Sequence, residues 1–149
     1  MLHILLVLHL LFFMFSFAFT AGLGILQARV ARSGDARKIH DVFSATMPLT
    51  TVGGVGWIIT ALVGIGLAQS AGMPLSQPWL IYSYAAFAVL ILVGFLVHKP
   101  WHAKVVAASA NGPTQELDAL LKSQVSPVAS AVSAISIIAL VYLMTARMG

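Results

Sequence analysis

The chain has no cysteine, and few of its residues are charged: 8 Lys+Arg and 4 Asp+Glu among 149 residues. Without a thiol there is no disulfide, zinc–thiolate site, iron–sulfur cluster or cysteine nucleophile. Soluble domains are about 25% charged, so a charged fraction of 8% excludes an ordinary soluble domain. An apolar fraction of 60% excludes a disordered chain, which needs low hydrophobicity and high charge. Metalloprotease HExxH and serine-hydrolase GxSxG motifs are missing, as are tandem repeats and a second domain. The composition that remains is that of an integral membrane protein.

The charges fall in three places: Arg29 to Asp41, Lys99 to Lys122, and Arg147. Between them lie charge-free runs over 1–28, 42–98 and 123–146. A helix rising about 1.5 Å per residue needs roughly 20 residues to cross a ~30 Å hydrocarbon core. The outer runs hold one crossing each. The middle run holds two, split by the turn-like stretch from Gln69 to Pro78. The reading is an all-α bundle of four transmembrane helices, near 2–27, 43–68, 79–98 and 126–146, forming one integral membrane domain over 1–149. A barrel reading fails because the runs are too long and do not alternate. A cleaved signal peptide is not expected, because the first apolar run is too long and no Lys or Arg precedes it.

The two basic loops carry four and three Lys/Arg, against none in the loop between the second and third spans and one at the C-terminus. The positive-inside rule puts both basic loops in the cytoplasm and both termini outside. Trp79, Tyr82 and Tyr142 suit the outer interface, and Trp101 the inner one. The pI near 9.9 is accounted for by loops facing an anionic leaflet, and no nucleic-acid partner is expected. The stretch after Pro113, from Thr114 to Lys122, has Leu117, Leu120 and Leu121 at helical spacing, with acids early and a lysine late. It predicts a short cytoplasmic helix lying at the membrane surface.

Lipid does not drive helices together, so small and polar residues must hold the bundle. Gly56, Thr60, Gly64 and Ala68 make one close-packing face of the second span, and Ser126, Ser130 and Ser133 share a face of the fourth. In the first span His9, Ser16, Thr20 and Gln27 lie within about 20° of one direction on an otherwise apolar helix. Such a line must face the bundle interior or a water-lined cavity. His3 points away from it and reads as interfacial. Met47-Pro48 interrupts the second span's hydrogen bonding, with Thr46, Thr50 and Thr51 placed to back-bond.

His9 is the one ionisable side chain well inside a span, and such residues are functional candidates. Its ordinary reading is a neutral imidazole bonded to a neighbouring helix. Its functional readings are a metal or haem ligand and a proton relay. Trp57 reads as core packing or as a platform stacked on a planar ligand. Of the other histidines, His40 precedes the second span, where Asp41 reads as its N-cap. His98 and His102 flank Pro100, which reads as a helix break. The three read as solvated interface residues, or as a joint metal site.

Leu8-His9-Leu10-Leu11, the basic first loop, the Gly-rich second span, Ser76-Gln77-Pro78-Trp79-Leu80 and the terminal Leu143-Met144-Thr145-Ala146-Arg147 resemble a bacterial integral membrane family known as domain of unknown function twenty-two sixty-nine. That family is distantly similar to the copper-resistance D membrane domain and to a haem-binding membrane protoporphyrinogen oxidase, both helical bundles with an early histidine. The resemblance implies a haem or metal role for His9 and a bacterial inner-membrane location. The oxidase's motif of arginine and aromatic residues after its first helix is absent here, and so is the proline that ends the family's terminal motif.

Two functions follow as expectations. The first is a haem b-binding redox or haem-handling protein. His9 would be the proximal ligand, Met144 the sixth, Arg147 the propionate partner and Trp57 part of the pocket. The second is a non-catalytic accessory or assembly subunit, packing through its small-residue faces against other membrane subunits or itself within the lipid bilayer. Copper transport is the weakest alternative, since the six methionines are not clustered. The topology is directly testable. Reporter fusions at Gly72 and in the loop around Asn111 should report from outside and inside respectively. A cytoplasmic signal from position 72 overturns the orientation.

Overall fold

A computed structural model describes residues 1–146. Four helices in it are long and apolar enough to cross a membrane. The first three are α1 Leu2–Ala31, α2 Ala36–Ser70 and α3 Pro78–Ser109. The fourth, Gln115–Ala146, consists of a short α4 Gln115–Lys122 and a long α5 Val125–Ala146. No strand occurs among the described residues. Each predicted span lies inside one of these rods, and the first three rods extend beyond their spans at the basic end. The all-α, four-span bundle expected from the charge gaps is therefore the fold.

Several local expectations are corrected. Asp41 does not cap α2. It lies on the second turn, and Asp35 is the cap, its carboxylate accepting from the amides of Arg37 at 3.1 Å and Lys38 at 3.2 Å. Pro100 does not end α3. A wide turn over Gly94–His98 precedes it, so Pro100 falls in the first turn of the following α segment, where its missing N–H costs nothing. The helix after Thr114 forms, capped by the Thr114 hydroxyl on the Leu117 amide at 3.1 Å. Its Leu117 is buried against the protein. On α5, Ser130 is exposed and the serine turned inward is Ser136.

α1 packs along α2, and α3 packs along α5. Two clusters join these pairs. Near mid-bundle, Trp57, Phe87, Leu90 and Leu140 bring together α2, α3 and α5, with Phe13 of α1 packed against them. At the basic end, Ile39, Phe43, Trp101, Val105 and Leu117 form a second core from α2, α3 and α4. α2 has 35 residues, about 52 Å of helix against a ~30 Å hydrocarbon core. With Arg37, Lys38 and Asp41 on its first turns, its N-terminal end stands outside the membrane.

The α1–α2 contact explains the polar line of α1. Ser16 and Gln27 are buried and Thr20 is half-buried. Ser16 lies against Gly56, where an added Cβ would collide with its hydroxyl. Phe19 lies against Gly53, 2.9 Å from where a Cβ would stand. The Gln27 amide donates to the Thr46 hydroxyl at 2.8 Å. Thr50 and Thr51 back-bond to the Met47 carbonyl at 2.8 and 3.3 Å, as read from the proline beside them. A polar residue of α1 thus meets a small or hydroxylated residue of α2 along much of the contact.

Gly56→Leu and Gly64→Leu should each overpack this contact and cost about 1–3 kcal/mol, read as a lower melting temperature in detergent. Gly66→Leu is the control, because a Cβ there meets nothing within 4 Å. Equal stability of all three variants would show that the seam is not close-packed. The Asp35 cap gives a pH prediction. Chiefly the Lys38 amide hydrogen bond holds its carboxyl below the usual range. A lowered folded pKa stabilises above the unfolded value of about 4 and is lost as pH falls through the folded value. Asp35→Asn keeps an acceptor at the cap, so it should flatten the acid limb of the melting-temperature profile.

Candidate functional site

His9 is 6% exposed, and it is held by the same seam. Its Nδ1 lies 2.9 Å from the backbone carbonyl of Thr60. A carbonyl can only accept, so Nδ1 carries the proton and Nε2 is left as the lone-pair nitrogen. Two features of α2 allow the ring to reach that carbonyl. Gly64, one turn beyond Thr60, has no side chain, and a Cβ there would stand 2.8 Å from His9 Cε1. The Thr60 hydroxyl turns away, donating to the Gly56 carbonyl at 2.8 Å. The imidazole therefore fills a notch in α2 and is fixed in one tautomer. The small residues Gly56, Thr60 and Gly64 were legible as a packing face. Their role in seating the His9 imidazole depends on which helix pairs with α1.

The other predicted site residues are only partly brought together. Trp57 is 2% exposed and is gripped edge-on, with ring centroids 5.3 Å from Phe13 and 6.2 Å from Phe87. That is the ordinary core placement, although its Nε1–H finds no acceptor. Met144 is half-buried and packs against the same cluster. Arg147 lies outside the described residues.

The three histidines of the basic end do not converge. His40 donates from Nδ1 to the Val106 carbonyl at 3.1 Å, tying α2 to α3. His98 lies beside the Ala129 backbone, where α3 meets α5. His102 is buried, with its ring 5.9 Å from His98 and edge-on to Phe43 at 5.5 Å. Among the described residues no three His, Asp or Glu side chains are grouped to hold a metal. The expectation of solvated interface residues is corrected as well. His102 is buried and His40 and His98 are half-buried, because α2 and α3 run on past the membrane and pack together there. Sequence reasoning missed this outer core because Pro100 reads as a helix end.

Sequence comparison adds one finding. The family described as "Predicted integral membrane protein (DUF2269)" matches residues 3–148. No curated protein and no solved structure matches the chain.

Proposed function

The chain belongs to the DUF2269 family of predicted integral membrane proteins, and we propose that it is a haem b-binding membrane protein in which His9 is the iron ligand. One observation carries this reading: His9 donates Nδ1–H to the Thr60 carbonyl. Ligating histidines almost always give their second ring N–H to a carbonyl or carboxylate, which fixes the tautomer and raises the basicity of the other nitrogen. The donor chemistry of His9 therefore fits an iron ligand, which it would offer through Nε2. Haem would supply one-electron redox chemistry, or would itself be the cargo. Thr60 orients the imidazole and Gly64 gives it room. Met144 would be a second iron ligand and Arg147 would pair with a propionate, while Trp57 supports the site as core. We place the protein in a bacterial inner membrane with both termini outside, on the strength of the basic loops.

A second reading is favoured by the fit of the ring into the Gly64 notch. In it His9 is an interhelical latch, and the chain is a non-catalytic accessory subunit packing against other membrane proteins or its own copies. Purification after expression with ample haem separates the two. Haem binding predicts a Soret band that His9→Ala abolishes and Met144→Ala shifts but keeps. A colourless wild-type protein removes the ligand role. The latch reading then predicts that His9→Gln is nearly harmless, since such a bond is worth about 1 kcal/mol or less.

A further inference from the structure

A cavity of about 420 Å³ lies between α3 and α4 and is lined also by Val125 at the start of α5. Leu96, on its wall, belongs to the charge-free run that ends at His98, whereas Lys104 and Glu116 stand beyond it. The cavity therefore straddles the membrane boundary at the basic end of the bundle.

Its walls are mainly apolar, with Leu96, Leu120 and Val125 among them. Four polar residues interrupt them: the Ser123 hydroxyl donates to the Leu120 carbonyl at 2.7 Å, and the other three have no partner. Trp101 is 9% exposed, and its Nε1–H is buried without an acceptor. Lys104 and Glu116 line the same cavity from α3 and α4, yet neither enters an ion pair with a described residue. Nearby lysines behave differently: Lys122 pairs with Asp118 at 2.6 Å, and Lys99 lies over the Phe95 ring at 5.8 Å. An orphaned buried donor, a cation and a carboxylate thus share one greasy groove at headgroup depth.

We propose that this groove binds one zwitterionic phospholipid with a primary ammonium head, a phosphatidylethanolamine. The acyl chain lies along Leu96, Leu120 and Val125. The lipid's phosphate or ester oxygens accept from Lys104 and the Trp101 N–H, and its ammonium donates to Glu116. The carboxylate decides the headgroup. An anionic phosphatidylglycerol places no cation opposite Glu116, and the quaternary head of phosphatidylcholine has no N–H to donate.

The test is lipid retention by the full-length protein, taken from phosphatidylcholine nanodiscs doped equally with phosphatidylethanolamine and phosphatidylglycerol and read by native mass spectrometry. One phosphatidylethanolamine should be retained in preference to the other two. Glu116→Gln should lower that retention about tenfold, the size of one charge-assisted hydrogen bond, and leave phosphatidylcholine unchanged. Lys104→Gln should lower retention of every phospholipid. Trp101→Phe, which keeps the ring and loses only the N–H, should lower it less. Lys104 and Glu116 are exposed and hold no other side chain, so both charge variants keep the fold. Equal or better retention of phosphatidylglycerol, an unchanged Glu116→Gln variant, or no retained lipid overturns the proposal.

Discussion

Hydrocarbon offers no hydrogen-bond partner, and this constraint organises the bundle from α1 outward. Between His3 and Arg29, α1 is apolar except for one line of polar residues, and α2 answers that line. His9 reaches the Thr60 carbonyl, Ser16 lies on Gly56, and Gln27 donates to Thr46. Each bond is small, about 0.6 kcal/mol on average for interhelical pairs in a membrane. Their weight comes from the alternative, an unsatisfied polar group in lipid.

The answering residues on α2 must be small for this to work. A carbonyl already bonded along its own helix can accept a second donor only if the side chain one turn on does not cover it, which is what Gly64 provides at Thr60. The same helix serves α3, since Gly54 receives Phe95 at 3.3 Å from where a Cβ would stand. α2 is thus the common rail for both neighbours, and its glycines mark where they come closest.

Number, order and class of the helices were readable from twelve charges and the gaps between them, because a charge in hydrocarbon is costly and the gaps have the length of a crossing. The ends were not readable. Asp35 and Asp41 are both acceptable caps by residue type, and only the packing of Ile39 and Phe43 against α3 decides that α2 starts before Asp41. Pro100 stops a helix unless a wide turn precedes it, and nothing in Gly94–His98 announces one. At the candidate site, the line through His9 was legible from periodicity alone. The partner of His9 was not, because choosing it requires knowing which helix lies alongside α1. Trp101, Lys104 and Glu116 share a groove only because α4 folds back on α3.

The two ends of α2 are held by different physics. Its membrane part is fastened by close contact and interhelical bonds, with lipid in place of water around it. The part carrying Ala36 and Ile39 lies beyond the charge-free run and is fastened by burying apolar surface that water would otherwise wet. Hydration of apolar surface is the source of the large heat-capacity change of unfolding, and its stabilising effect weakens on cooling. One continuous helix therefore joins a region whose cohesion changes steeply with temperature to one whose cohesion barely does. The outer core is the part of this protein that cold loosens first.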